Sequence, residues 1–107
     1  MQFSTTPDIP GKTIKENLGI VAGNVVQSKH VGRDLMAGLK GIIGGEISGY
    51  TEMLADARDV AIERMVDEAK KRDADAIINV RFTTSAIMAN ASEMLAYGTA
   101  VKLKIQD

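Results

Sequence analysis

The 107-residue chain contains no cysteine and no tryptophan, and only 4% of its residues are aromatic. Without cysteine there is no disulfide, no cysteine-ligated zinc or iron–sulfur cluster, and no catalytic thiolate. The shortage of aromatic rings argues against modules that bind RNA or single-stranded DNA by stacking bases. The formal net charge is −1, so no strong field attracts the chain to nucleic acid or to an anionic membrane.

Long apolar runs are also missing from the sequence. No stretch approaches the roughly 20 apolar residues that a transmembrane helix needs. The first residues do not combine a basic region with an apolar run, so we expect no signal peptide and a cytoplasmic protein. The length fits a single domain, residues 1–107, that can bury a core without disulfides.

A long amphipathic helix is the clearest element in the sequence. From Tyr50 to Arg72, apolar residues recur with the 3.6-residue period of a helix that packs on a core. The apolar stripe contains Tyr50, Met53, Leu54, Ala57, Val60, Ala61, Met65 and Ala69. A shorter helix is predicted between Val31 and Ile43, where three glycines lower its intrinsic stability.

Three segments alternate between apolar and polar residues, as half-buried strands do. They are Thr13–Ser28, Ile77–Met88 and Leu95–Ile105, and a loop at residues 90–92 joins the last two as a hairpin. Gly19 or Gly23 is expected to mark a bulge or the close approach of another backbone. The expected apolar faces are Ile14, Leu18, Ile20, Ala22 and Val26 in the first strand, Ile78, Val80 and Phe82 in the second, and Leu95, Tyr97, Thr99, Val101 and Leu103 in the third.

The order of these elements predicts an α+β fold. Met1–Thr6 is a short extended piece, followed by the long strand, two helices and two strands. We expect an antiparallel sheet, built from the long bent N-terminal strand and the C-terminal hairpin, packed with two helices.

Metal binding finds little support in the residues. Soft metals select thiolates or clustered imidazoles, whereas this chain has no cysteine and a single histidine, His30. The methionines occupy core-like positions, where they usually fill gaps. A hard-cation site built from one carboxylate per subunit, such as Glu16 or Glu93, stays open. We therefore predict no metal ligand within one chain.

A glycine-rich stretch, Gly41–Gly49, precedes the long helix and could hold an anion on its free amides. The P-loop pattern fails there, because no Lys-Ser/Thr pair follows and Glu46 would repel phosphate. We favour a tight turn in which Ser48 caps the helix.

Charged residues near the predicted helices supply the remaining candidates. His30 and Asp34 stand four residues apart beside Arg33, which is half of a general-base arrangement without a nucleophile. Arg58 and Glu68 intrude on the apolar stripe, so each needs a partner or must reach out to solvent. We favour a salt bridge at a subunit contact, with Arg33, Asp34 and Asp75 as the candidate partners for these two charges.

Six short motifs, spread over nearly the whole chain, resemble those of the YbjQ family. They are Ser4-Thr5-Thr6-Pro7, Arg33-Asp34 with Ala37-Gly38, Gly44-Gly45 with Tyr50 five residues after the second glycine, Ala57-Arg58, Ala74-Asp75-Ala76, and Gly98-Thr99-Ala100-Val101-Lys102. The resemblance implies a dodecin-like, oligomer-forming α+β subunit, with a pentameric ring expected and no established biochemical role. The family is often described as heavy-metal-binding. This chain departs from the family pattern at Glu46-Ile47, where Arg-Ser is typical, and at Arg72-Asp73, where Leu-Gly is common.

Together these features predict a non-enzymatic, ring-forming homo-oligomer that acts as a binding or scaffold protein. The wide apolar stripe and strands with apolar residues on both faces leave surface to bury between copies, with strand edges paired across subunits. The partner is another copy of the chain; a small ligand or metal ion stays open, and no cofactor, nucleic acid or membrane is expected. Heavy-metal binding and an enzyme with an inter-subunit site are the alternatives. Candidate ligand-binding or inter-subunit residues are Arg33, Asp34, Ser48, Tyr50 and Arg58.

Overall fold

The computed structural model describes residues 1–28, 48–88 and 91–106. In these ranges the elements are β1 (Gln2–Phe3), β2 (Lys12–Ser28), α1 (Ser48–Lys71), β3 (Ala76–Met88) and β4 (Ala91–Ile105). The long helix and the three long strands are confirmed within a few residues of their predicted bounds. The predicted helix between Val31 and Ile43 lies outside the described residues.

The four strands form one sheet in the order β1-β3-β4-β2. β4 lies in the centre and is antiparallel to both β2 and β3. β1 pairs in parallel with β3, matching Gln2 with Ala76 and Phe3 with Ile77. The sheet is therefore mixed, and the prediction of a purely antiparallel sheet is wrong at this edge. The predicted loop at residues 90–92 is also too long, because Ala91 and Ser92 already pair within the sheet.

The helix packs on the face of the sheet that carries the smallest side chains. Ala96 and Ala100 of β4 are fully buried beneath it, together with Val21 of β2 and Ile77 and Val80 of β3. From α1, the buried residues Ala61, Met65 and Ala69 complete this core. We call this side of the sheet the helix face.

Gly23 sets the distance between α1 and β2. A Cβ atom on Gly23 would lie 2.8 Å from the carbonyl carbon of Arg64 and closer still to the Ala61 oxygen and the Met65 nitrogen. Real Cβ atoms essentially never approach other atoms within 3.0 Å, so only glycine fits here. The prediction of a close backbone approach is confirmed at Gly23.

Bulges interrupt the alternation of β2 and β3 at four places, and two of them bear on the predictions. In β2 the register shifts between Asn17 and Gly19, where Gly19 has a φ of 95°, so the bulge expected there is confirmed. In β3 the register shifts between Ile78 and Arg81, and Asn79 has a φ of 53°. Because the second bulge reverses the phase of the alternation, Ile78 and Val80 lie on opposite faces, and their predicted common face is wrong.

The opposite side of the sheet, the outer face, holds a second and smaller core. Ile9 lies in the segment between β1 and β2 and covers Ala76, Ile78 and Val101, with Leu103 packed beside them. This cover reaches only the end of the sheet near the N-terminal segment. The rest of the outer face is not covered by any residue that the structure describes.

Candidate interaction surface

The uncovered part of the outer face carries large apolar side chains. Ile20 is 72% exposed and Val26 is 58% exposed, although both were predicted to face the core. Strand alternation places Ala22 and Asn24 between them on the same face, and on β4 it sets Tyr97 beside Ala22 and Leu95 beside Asn24. We call Ile20, Ala22, Val26, Leu95 and Tyr97 the outer apolar patch.

The predicted apolar faces of β2 and β4 therefore point mostly away from the helix. A helix backbone approaches a sheet closely only over small residues, and the small residues beneath α1 are Gly23, Ala96 and Ala100. The larger row, with Leu95 and Tyr97, is displaced to the other side. The alternation of small and large residues along β4 was the signal in the sequence that could have shown which face takes the helix.

Arg64 of α1 and Arg72, the residue after α1, bind the backbone of β2. The Arg64 guanidinium donates from Nη1 to the carbonyl of Asn24 at 2.6 Å, and Arg72 donates to the carbonyl of Leu18 at 2.9 Å. Both carbonyls belong to the outermost strand of the described sheet. These two contacts were not predicted, because nothing in the local sequence indicates which strand carbonyls lie at an edge.

Arg81 fastens the N-terminal segment to β3. Its Nη1 atom donates to the carbonyls of Thr5 and Val80, both at 2.8 Å. The backbone continues this contact, since the N–H of Val80 donates to the Ser4 carbonyl and that of Asn79 to the Thr6 carbonyl. The edge of β3 is covered by residues 2–6 as far as Val80.

A charged cluster lies where α1 ends. Asp73 has a φ of 58° and its carboxylate accepts a 2.9 Å bond from Lys102 on β4. This hydrogen bond, together with the opposite charge, lowers the pKa of Asp73 and raises the pKa of Lys102. Asp75 accepts a 2.8 Å bond from the N–H of Leu103. The cluster links the end of the helix to β4 through the paired charges of Asp73 and Lys102.

The predicted site residues fall mainly outside what the structure describes. Arg33 and Asp34, with His30, lie in the range 29–47, and the side chains of Ser48 and Tyr50 at the start of α1 are not described. Arg58 is exposed on α1. Glu68 is half-buried and lies 3.2 Å from Lys71. The role of Arg58 at a subunit contact stays a prediction.

The described residues hold no metal-ligand cluster, and a cavity that they line is small. Within residues 1–28, 48–88 and 91–106, no three His, Cys, Asp or Glu side chains come together to hold a metal ion. Glu93, a candidate for a shared cation, accepts a 3.0 Å bond from the Asn24 amide. A cavity of about 270 Å³ between Leu54 and Met94 falls below the usual size of small-molecule sites, roughly 300–1,000 Å³.

The same described ranges contain no helix that is long and apolar enough to cross a membrane.

Comparison with known proteins places the chain in a family of uncharacterised proteins. A "UPF0145 protein" of Colwellia psychrerythraea is 64% identical over 104 residues, covering 97% of this chain and 99% of the relative. Another, from Archaeoglobus fulgidus, is 60% identical over 102 residues, covering 95% and 94%. A crystal structure from Pediococcus pentosaceus, of unknown function and assigned to the DUF74 family, shares the fold, with a TM-score of 0.64, 18% identity, and coverage of 97% and 98%. The family model YbjQ_1, described as "Putative heavy-metal-binding", matches residues 1–104, and the chain therefore belongs to the YbjQ family.

Proposed function

We propose that this protein works as a non-enzymatic homo-oligomer, a dodecin-like ring of several subunits that serves as a scaffold or binding module. The outer apolar patch carries the proposal. Its side chains, large except for Ala22, lie on two adjacent strands and are not buried by the described part of their own chain. Monomeric proteins rarely leave such contiguous apolar surface in water.

The distribution of residue sizes supports assembly over simple surface exposure. Within one protomer, the large apolar residues of β2 and β4 would be expected under α1, where their burial contributes most. Here α1 covers Val21, Gly23, Ala96 and Ala100 of these strands, while Ile20, Val26 and Tyr97 face outward. A second copy on the outer face would bury the larger row, so both faces of the sheet would contribute to the stability of the assembly.

Sedimentation velocity at micromolar protein concentration tests the proposal. We expect the wild type to sediment as a multimer, with a pentamer as the stoichiometry that the family resemblance implies. The variant Ile20→Lys places a charge in the outer apolar patch and should shift the protein toward a folded monomer. Ile20 is already exposed in the protomer, so this substitution removes nothing from the core.

Ile105→Lys is the matched control. Ile105 is 73% exposed against 72% for Ile20, but it pairs with Lys12 at the opposite end of the sheet. It should leave the multimer intact. A wild type that is monomeric and well folded at micromolar concentration would overturn the proposed assembly, and so would equal effects of the two substitutions.

Neither alternative function has a specific contact behind it. Heavy-metal binding rests on the description of the family model, whereas the described residues contribute no ligand cluster. An enzyme acting through His30, Asp34 and Arg33 depends on residues outside the described ranges. An activity screen of the wild type against His30→Ala would distinguish that enzyme from a scaffold, and equal behaviour would remove it.

A further inference from the structure

Among the described residues, the sheet has two edges without a partner strand, and these edges match each other. On one side, β3 is covered by the N-terminal segment up to Val80, and within the described residues 81–88 pair with β4 alone. On the other side, β2 is the last strand of the sheet. Above the bulge at Gly19, residues 20–28 of β2 carry no charged side chain, and residues 81–88 of β3 carry only Arg81. Long, uncharged edges of this kind are templates for pairing with another chain.

The two open stretches lie at the same level of the sheet. Asn24 of β2 and Thr83 of β3 both pair with Leu95, and Val26 and Ser85 both pair with Glu93. A neighbouring copy that continues the sheet therefore needs no displacement along the strand direction. A contact without such displacement favours a closed ring, whereas a displaced one would generate an open helical filament.

The strand directions determine the mode of pairing. β2 and β3 are both antiparallel to β4, so they run in the same direction. A rotation about an axis along the strands brings β2 of one copy beside β3 of the next, and these strands are then parallel. A two-fold axis would instead pair β2 with β2, or β3 with β3, in antiparallel fashion.

We propose that residues 20–28 of one copy pair in parallel with residues 81–88 of the next copy, with Asn24 beside Thr83. This inference rests on the proposed assembly and adds a strand-edge contact between copies to the burial of the outer apolar patch. The Asn24 carbonyl, in the middle of this stretch of β2, accepts one bond from Arg64. A carbonyl has a second lone pair and can accept a bond from a neighbouring strand as well.

Cysteine cross-linking tests the pairing, because the chain has no cysteine of its own. The double variant Asn24→Cys/Thr83→Cys places thiols two strands apart in one protomer. That separation is roughly 9.6 Å, too far for a disulfide, which requires Cα atoms within about 7 Å. Under mild oxidation we expect a covalent ladder up to the full ring, and no covalent dimer from either single variant.

The double variant Thr13→Cys/Thr83→Cys is the control, because Thr13 lies near the start of β2, far from Asn24 along the strand. It should give no ladder. Pairing Asn24→Cys with Arg81→Cys or Ser85→Cys tests the register two residues to either side, and these variants should cross-link less than the pair with Thr83.

The possible outcomes separate this inference from the proposed function. If the wild type is multimeric but none of the three double variants that contain Asn24→Cys gives a ladder, the β2–β3 contact is overturned and the proposed assembly is not. Covalent dimers from a single variant point to a two-fold contact and overturn it as well. A monomeric wild type overturns the proposed assembly, and the inference fails with it.

Discussion

The contact between α1 and β2 predicts that Gly23→Ala destabilises the protein. The new methyl group would meet three backbone atoms of α1, from Ala61, Arg64 and Met65, and backbone cannot move aside as a flexible side chain can. Overpacking of this kind typically costs about 1–3 kcal/mol, and rigid neighbours place Gly23 at the upper end. Alanine also restricts the unfolded chain, which offsets roughly 0.5–1 kcal/mol. We therefore expect a net loss of about 2 kcal/mol in the free energy of unfolding.

Urea denaturation followed by circular dichroism measures this loss. A loss of about 2 kcal/mol corresponds to a fall of roughly 10 °C in Tm for a domain of this size. All proteins must be compared at one protomer concentration, because the stability of an oligomer depends on it.

Gly11→Ala serves as the control for the backbone. Gly11 has a φ of 79° and nothing within 4 Å of its Cβ position. Alanine there should therefore lower the free energy of unfolding by about 1 kcal/mol through backbone conformation alone. If Gly23→Ala unfolded at the wild-type urea midpoint, α1 could not lie against β2 as the structure has it.

Two further predictions concern the end of the helix and metal binding. Asp73→Asn retains a residue that tolerates a positive φ but removes the charge that faces Lys102. Because the folded-state pKa of Asp73 is lowered, its stabilising contribution is present above the ordinary value of 3.8 and is lost as the pH falls through the folded-state pKa. The variant should therefore be less stable than the wild type near neutral pH, and urea titrations should show the difference closing below about pH 3.8; a difference that persists at lower pH would contradict this reasoning. For metal binding, we expect no change in Tm on adding Cu, Zn or Ni salts, because cysteine is absent and histidine is single; a rise of several degrees with one ion would favour the alternative function.

Much of the fold follows from local patterns in the sequence. The 3.6-residue period places α1 because its buried row, Ala57, Ala61, Met65 and Ala69, repeats every four residues on one side. Two features also follow from residue chemistry: the bulge at Gly19 and the left-handed conformation of Asp73 after the helix. Each depends on a few neighbouring residues, which is why the sequence alone suffices.

The alternation of apolar and polar residues did not predict which face of each strand packs against the core. The bulge at Asn79 reverses the alternation of side chains within β3, and an asparagine in a strand does not by itself predict a bulge. β1 is two residues long, too short for any periodicity, so its parallel pairing with β3 could not be foreseen. Of the candidate site, Arg58 is described and exposed, whereas Arg33 and Asp34 lie outside the described residues.

The mistaken faces bear on the proposed assembly. Counting apolar residues assigns the larger side chains of β2 and β4 to the interior, because their burial contributes more. The structure assigns them to the outer face, since Gly23, Ala96 and Ala100 allow a closer approach of the helix. Both arguments hold if the outer face is buried as well, between subunits rather than within one. The alternating apolar residues would then be buried in the assembled protein, whereas in a single protomer α1 covers only one face of the sheet.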